Sequence, residues 1–496
     1  MPAHPHDRPG PGLPLGAARF PQKSHQGRQA GGYGRRRGKM RVGIIGAGAT
    51  GLTVAYRLAQ QGHDVVVYER APFIGGQAST FDVAGARLER GYHHLFTNDT
   101  DIIDLMGEIG IGHQMKWFPS KVGTLYDGKI YNFVTPIDLL KFKPLKLQNR
   151  IKLGLVTLKL RRQKDWRKLE GVTADEWLRK NAGKNIYDVF WGPMLRGKFG
   201  EDFYNQIGMA WIWGKINTRF ASRGKGMSKE MLGYPIGSFG EIFDVLADKI
   251  KTLGGEIHIN HAVNRVIVEN GRATGLEISP EGRGDSFTEK SDAVVSTTQN
   301  YIFQKLAPEL PEDYRAKLDS VKYLAAVLLI MVLDRPLSKV YWLNVSDRSI
   351  PFVGVIEQTN MINPKHYSGK HIVYLTNYVT REHPVYKMTH EELLTFYLPH
   401  LKKINPGFNA SWIETSYHQA VNAAQPIIGV NYSQRLPDNR TPIAGLYLAN
   451  TTQVYPEDRG TNYSVRMGNK VAKMVMEDGT VADGGKVQVG AEKQSA

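Results

Sequence analysis

Three glycines and one carboxylate mark the chemistry that this chain can do. Gly46, Gly48 and Gly51 follow a short apolar run, Arg41 to Ile45, in the order GAGATG, and Glu69 lies 23 residues after Gly46 at the tip of a valine-rich run, Asp64 to Tyr68. The first glycine permits a tight turn out of a strand, the second lets a pyrophosphate approach bare backbone, and the third lets helix and strand pack closely. Ala49 and Thr50 then occupy the opening helical turn, where free N–H groups and the helix dipole favour an anion. Glu69, followed by Arg70, can accept hydrogen bonds from both hydroxyls of an unphosphorylated adenosine ribose. Together these residues describe a dinucleotide site and leave NAD and FAD equally open. Two other features with chemical potential lie nearby, the doublet Gly75-Gly76 followed by Gln77, and the pair His93-His94.

The elements that must position these residues are legible around them. Leu52, Ala55, Tyr56 and Ala59 fall at i, i+3, i+4 and i+7, an apolar stripe on a helix facing a sheet, and Gly62 supplies a C-terminal stop. Strand, glycine turn, helix, strand and acid occur in order at the spacing of a nucleotide-binding βαβ unit, which argues against an ordinary structural crossover. The expected fold class is α/β.

Composition removes several classes of function. At 496 residues the chain exceeds one ordinary core, and two domains are expected. Hydrophobic residues at 41% and charged residues at 22% suit a globular protein, and the longest aliphatic run, Leu324 to Leu333, is too short to span a bilayer and reads as a buried strand. With no cysteine there can be no disulfide, no cysteine-ligated cluster, no thioether-linked flavin and no redox dithiol. The net charge of +17 is concentrated: residues 1 to 40 hold eight Arg or Lys against one Asp, and residues 141 to 168 hold eleven against one. The remainder is neutral, so no nucleic-acid partner is expected. Residues 1–39, rich in Pro, Gly and Arg, read as a disordered basic extension without a secretory h-region, with Met40 opening the folded part.

Further along, Asp101 to Gly110 reads as a helix, and Trp117 to Phe133 as one hairpin turning at Asp127-Gly128. Pro136 to Arg223 reads as mainly helical. From Tyr234 a helix with Ile242, Val245, Leu246 and Ile250 on one face leads to a strand at Glu256 to Ile259, two strands joined by Asn270-Gly271, and the strand Ala293 to Ser296. Leu324 to Leu333, Tyr341 to Val345 and His371 to Tyr378 read as a second sheet, and Thr389 with Glu392 as a capping box. The C-terminal stretch GLYLANTTQVYPEDRGTNYSVRMGNKVAKMV runs strand, loop, then a helix from about Asn462.

The βαβ opening, the Gly-Gly doublet and this C-terminal strand-loop-helix resemble the flavin amine oxidase superfamily over roughly residues 40 to 477. That group includes monoamine and polyamine oxidases, protoporphyrinogen oxidase and phytoene desaturases, with UDP-galactopyranose mutase more distant. The resemblance implies FAD as cofactor, held in a Rossmann-like FAD/NAD(P)-binding domain (40–115, 234–300 and 435–480) interleaved with an α+β substrate domain (116–233 and 301–434), and a disordered tail at 481–496. It implies that Gly75-Gly76 pass the pyrophosphate, that the backbone at Val263 meets the adenine, and that Thr461 and Asn462 seat the isoalloxazine at a helix N-terminus. Two departures remove charge: Gln77 stands where the family carries Arg, and Asn450-Thr451 where it carries Gly-Asp. The resemblance also places His93 and His94 near the flavin as candidate catalytic residues, and His94-Leu95-Phe96 is similar to a stretch of the mutase.

The expected activity is FAD-dependent oxidation or desaturation, a hydride passing from a substrate C–H to flavin N5, on an apolar isoprenoid, tetrapyrrole or lipid-linked small molecule. The alternatives are a non-redox flavoenzyme of the mutase kind and an amine oxidase. Trp191, Phe199, Trp211, Trp213, Phe220, Tyr341 and Trp342 are expected in the core, with an apolar substrate channel as their alternative role. Arg196, Lys198, Lys215, Arg219 and Arg223 among them are expected to be solvated, with binding of a phosphate or carboxylate headgroup as their alternative role. In residues 146 to 162, Leu147, Ile151, Leu155 and Leu158 make one stripe, and Leu153, Val156 and Leu160 a second on the opposite side. That pattern suits a helix buried between two elements, and otherwise peripheral membrane contact through 141–168. The fifteen His show no ligand spacing, so no metal is expected. The expected location is cytoplasmic, and no oligomeric state is read from the residues.

Overall fold

Strand β1 (Arg41–Ile45), helix α1 (Ala49–Gln60) and strand β2 (Asp64–Tyr68) form where the glycine and valine spacing puts them. With β3 (Glu256–His258), β4 (Ala293–Ser296) and β5 (Leu446–Leu448) they build an all-parallel sheet in the order β3-β2-β1-β4-β5. Side chains alternate along a strand, so Val42, Ile44, Val65, Val67 and Val295 pack toward α1. Ile45, Val66, Tyr68 and Val294 face the other way, against Val266, Leu276 and Ile278 of an antiparallel sheet formed by His261–Glu269, Arg272–Pro280 and Phe287–Lys290. Burial on both faces explains why these strands are continuous Val/Ile runs. The computed structural model describes residues 38–223, 230–281 and 285–482. All but the last two residues of the expected basic extension, and all but the first two of the expected tail, lie outside the described residues.

The second sheet has seven strands, in the order Ile413–Pro426, Tyr323–Leu333, His371–Val379, Gly354–Glu357, Trp342–Val345, Val122–Tyr126 and Lys129–Asn132. The same alternation divides it. Leu328, Ile330, Tyr374 and Tyr378 join the core that reaches the parallel sheet, whereas Leu329, Met331, Val373 and Leu375 pack under the helix His390–Leu401. That helix starts at the expected capping box, in which Thr389 and Glu392 exchange backbone and side-chain hydrogen bonds.

Two expectations are corrected. Residues 117 to 133 are not one hairpin: Met115–Pro119 pairs with Met231–Pro235 in a separate sheet, and only Val122–Tyr126 and Lys129–Asn132 meet around Asp127-Gly128. Helix α3 (Leu147–Arg162), which follows helix α2 (Pro136–Lys141), is not buried between two elements. Leu153, Val156 and Leu160 are buried toward the helices Ala174–Ala182 and Met209–Ala221, and among the described residues nothing covers Leu147, Ile151, Leu155 or Leu158. No helix among the described residues is long and apolar enough to cross a membrane.

The last helix, α4 (Thr461–Ala482), returns to lie along α1, where Thr50 Oγ1 donates to the Ser464 carbonyl at 3.2 Å and Arg57 to Asn469 at 2.8 Å. The N-termini of α1 and α4 therefore meet beyond the C-terminal ends of β1, β4 and β5, the place where open α/β sheets bind ligands.

Candidate functional site

The turn after β1 is held by its own geometry. The Gly46 N–H donates to the Tyr68 carbonyl at 2.8 Å with φ at +103°, and a Cβ on Gly51 would lie 2.0 Å from the Gly46 carbonyl oxygen, so only glycine lets α1 start this close to β1. Gly48 is different. Its φ of −78° is open to any residue, and a Cβ there would meet only the Gly76 Cα, at 3.8 Å. Nothing within the protein demands glycine at 48, whereas a pyrophosphate approaching the backbone would, so the cradle fits a dinucleotide. Ala49 and Thr50 complete the first turn, and Gly75 closes against it, its N–H donating to the Ala47 carbonyl at 2.8 Å and its backbone bridging Gly48.

Glu69 stands at the end of β2 with one carboxylate oxygen accepting from the Ala47 N–H at 2.9 Å and the other from the Ala71 N–H at 2.8 Å. Each oxygen keeps a lone pair for a ribose hydroxyl. Arg70 beside it is exposed. Val263 lies on the strand His261–Glu269, which begins next to Glu69 through the His261 N–H on the Glu69 carbonyl at 2.9 Å, and the pairing is irregular just after Val263.

The other candidates serve the scaffold with their side chains. Gln77 Nε2 donates to the Ala423 carbonyl at 3.1 Å, tying the doublet to the second sheet. Asn450 donates to the Thr298 carbonyl and to Asn300 Oδ1 and accepts from the Thr452 N–H, so its amide braces the loop after β5. Asn462 Oδ1 accepts from the Ile102 N–H at 3.2 Å, anchoring the helix Thr100–Glu108. Thr451 and the buried Thr461 flank this loop and open α4, respectively.

His93 and His94 are partly buried, His93 against Phe239 and His94 against Tyr341 and Trp342 at the second sheet. Burial pushes His93 down to about 4, with the Arg459 charge adding to the effect, and pushes His94 down to about 3, helped by Arg219, His93 and Lys215. Both are neutral at physiological pH. His93 Nδ1 lies 2.6 Å from the Gly91 carbonyl, which can only accept, so Nδ1 carries the proton and Nε2 is an acceptor. His94 Nδ1 meets the Tyr341 hydroxyl at 3.1 Å, and its ring is boxed edge-on by Phe96, Tyr341 and Trp342. Tyr92 packs edge-on to Trp342 and Tyr374 and shares a hydrogen bond with Tyr378 at 3.2 Å.

Sequence reasoning missed the opposite wall. Asp458 accepts from Lys215 Nζ at 2.9 Å and lies 3.5 Å from Lys198 Nζ. Arg459 Nη2 donates to the Tyr378 hydroxyl at 3.4 Å, and Lys198 Nζ stands 4.8 Å from the Tyr378 ring centre. Burial alone would raise the Asp458 carboxyl, but Lys198, Lys215 and Arg459 hold it well below the usual carboxylate range. The phenol of Tyr378 would likewise rise on burial, and Lys198 and Arg459 bring it down to about 8. Lys198 and Lys215 are thus partly buried and paired with Asp458, and Arg219 and Arg223 flank the buried Glu230 at 3.9 Å each. The one available signal was the dipeptide Asp458-Arg459 just ahead of α4. Of the aromatics expected in the core, Trp191, Phe199, Trp211 and Tyr341 are buried, while Trp213 and Trp342 are partly exposed. Among the described residues no three His, Asp or Glu side chains gather as metal ligands.

This parallel nucleotide-binding sheet, with a glycine cradle at the C-terminal end of its central strand and a cluster of aromatic and charged side chains beyond it, is the frame of a flavin-dependent oxidoreductase. The pattern of the flavin containing amine oxidoreductase family matches residues 49–457, and the chain belongs to that family. The chain is 24% identical to the "Probable zeta-carotene desaturase" of Synechococcus elongatus over 503 residues, covering 89% of this chain and all of that one. Its fold is similar to that of an oxidoreductase from Methanosarcina mazei, with a TM-score of 0.67 at 20% identity over 88% of this chain and all of the other. It is also similar to reduced UDP-galactopyranose mutase, with a TM-score of 0.68 at 15% identity over 90% and 98% of the two chains. The cofactor is a flavin and the protein is an enzyme, an oxidoreductase.

Proposed function

We propose that this enzyme desaturates or oxidises a largely apolar substrate of isoprenoid, tetrapyrrole or lipid-linked type. Gly46, Gly48, Ala49, Thr50, Gly51, Gly75 and Gly76 hold the FAD pyrophosphate, Glu69 the adenosine ribose, the backbone at Val263 the adenine, and the opening turn of α4 at Thr461 the isoalloxazine end. Bound flavin supplies the hydride acceptance. Tyr92, His94, Trp342 and Tyr374 shape an aromatic wall that excludes water and presses the substrate carbon into place.

The observation that carries this is the box of Phe96, Tyr341 and Trp342 around the His94 ring, with burial lowering both His94 and its neighbour His93 from the usual imidazole range. Such a pair packs and orients; it does not donate protons at pH 7. The relative with a desaturase name agrees with it. A protonated amine is disfavoured, because the far wall sets Lys198, Lys215 and Arg459 against the single carboxylate of Asp458. Anaerobic incubation of the yellow holoenzyme with a polyene, a porphyrinogen and a diamine, read at 450 nm, tests the choice. Bleaching by a polyene or porphyrinogen is expected; bleaching by the diamine alone, or turnover of UDP-galactopyranose without net oxidation, overturns it.

A further inference from the structure

Most of the large apolar side chains left exposed on this molecule are gathered in one place. Ile137 and Leu140 on α2 are 62% and 47% exposed, and Leu147, Ile151, Leu155 and Leu158 on α3 are 59%, 50%, 61% and 37% exposed. Among the described residues eleven large hydrophobics are exposed in all, so six of them fall within these 22 residues. On α3 they recur at i, i+4, i+8 and i+11, a straight stripe about 17 Å long at 1.5 Å per residue. The opposite stripe already supplies the packing that α3 needs, through Leu153, Val156 and Leu160. The outer stripe is left largely to solvent.

The face is built as one unit. Arg150 donates from Nε to the Leu145 carbonyl and from Nη1 to the Leu140 carbonyl, both at 2.6 Å, locking the end of α2 to the start of α3. Its border is cationic. Residues 141–168 carry eleven Arg or Lys against Asp165 alone, and among the described residues only Arg167 of the eleven has an acidic partner. Lys143, Lys146, Lys152 and Arg162 are exposed around the stripe.

We propose that α2 and α3 dock this enzyme on an anionic lipid bilayer, the aliphatic stripe lying in the headgroup region and the surrounding Lys and Arg on lipid phosphates. Charge decides the occupant. A second copy of the chain meeting this face through a twofold axis would set like charges against like, whereas an anionic bilayer pairs them, at about fivefold in affinity for each basic side chain near the surface. An amphipathic helix with aliphatics on one side and basic flanks is the form that interfacial binding takes. This inference stands apart from the identity of the substrate.

The test is co-sedimentation of the full-length holoenzyme with vesicles of phosphatidylcholine alone or with 30% phosphatidylserine, at low and high salt. We expect binding to the anionic vesicles to exceed that to neutral ones at least tenfold and to fall as salt rises. Ile151→Ser with Leu155→Ser should weaken it tenfold or more, and Lys143→Gln with Lys146→Gln and Lys152→Gln should weaken it further and flatten the salt dependence. All sites are exposed, so the 450 nm spectrum and melting temperature should not move. No binding of the wild type to anionic vesicles overturns the proposal. So does undiminished binding of the Ile151→Ser, Leu155→Ser variant, which would assign the attraction to charge elsewhere. A lipid-free dimer that this variant dissociates would give the face to a second copy and overturn it as well.

Discussion

Two alanine substitutions three residues apart should have opposite effects, and the contrast tests the cofactor cradle. At Gly48 the backbone is in ordinary extended space and an added Cβ clears every protein atom. Gly48→Ala should therefore leave the apoprotein intact or stabilise it by about 0.4–1 kcal/mol through a less flexible unfolded chain. A methyl at that point would nevertheless stand between the pyrophosphate and the N–H groups of the opening turn. Loss of one charge-assisted hydrogen bond costs about 1.5–3 kcal/mol, or about 10- to 150-fold in FAD affinity. At Gly51 the added Cβ would sit 2.0 Å from the Gly46 carbonyl oxygen, and the neighbour is rigid backbone. Gly51→Ala should destabilise the apoprotein by about 1–3 kcal/mol or more as α1 is forced off β1. Thermal denaturation of deflavinated protein and fluorescence titration with FAD separate the two. Unchanged FAD affinity in Gly48→Ala would refute the assignment of Gly48 to the pyrophosphate, and an apoprotein of Gly51→Ala as stable as wild type would refute the packing argument.

Four other substitutions probe the buried polar groups. His94→Ala should leave FAD bound but slow its reduction by substrate about tenfold or more in stopped-flow, since a neutral packed ring acts by position; an unchanged rate retires the role. Glu89 is fully buried, accepting from Tyr234 and the Phe239 N–H, and burial raises its carboxyl from 4.5 to about 7. The folded state then holds this proton more tightly than the unfolded chain. The associated stability is complete below pH 4.5 and lost as pH rises through about 7, about 3 kcal/mol in all. Glu89→Gln should remove that component of the pH dependence, measured as the wild-type minus variant difference in denaturant melts at pH 5 and pH 8; a difference constant with pH would sink the assignment. Tyr378→Phe should delete a phenol that ionises near pH 8 from the ultraviolet titration of the protein, and Lys198→Gln should move that ionisation upward; a titration identical in all three proteins would contradict the cation wall.

What could be read from the chain follows from the range of the forces involved. The turn at Gly46, the stripe from Leu52 to Ala59 and the acid at Glu69 are set by neighbours within a few residues, so their spacing alone reports them. The Asn270-Gly271 turn and the Thr389 capping box are local in the same sense. Met115–Pro119 was misread because its partner, Met231–Pro235, lies more than a hundred residues away, and an alternating pattern does not say which strand it meets. Helix α3 carries two apolar stripes, and only the packing of Ala174–Ala182 and Met209–Ala221 decides that Leu153 is covered and Leu155 is not.

The charged network is the extreme case. Lys198, Lys215 and Asp458 form their network across some 250 residues of chain, so each looks, in isolation, like an ordinary surface charge. Their meeting follows from α4 returning to α1, which places the loop before Thr461 against the helix Met209–Ala221. The departures from the family pattern then make physical sense together. Where the resemblance puts Arg after the doublet and Gly-Asp after the last strand, this chain has the uncharged Gln77 and Asn450-Thr451, with Gln77 and Asn450 engaged with backbone carbonyls. Charge has been withdrawn from those two positions while the loop just before α4 carries Asp458 and Arg459 among two lysines. The buried charges around Tyr378 are therefore set mainly by that loop, through Asp458 on Lys198 and Lys215 and Arg459 on the phenol.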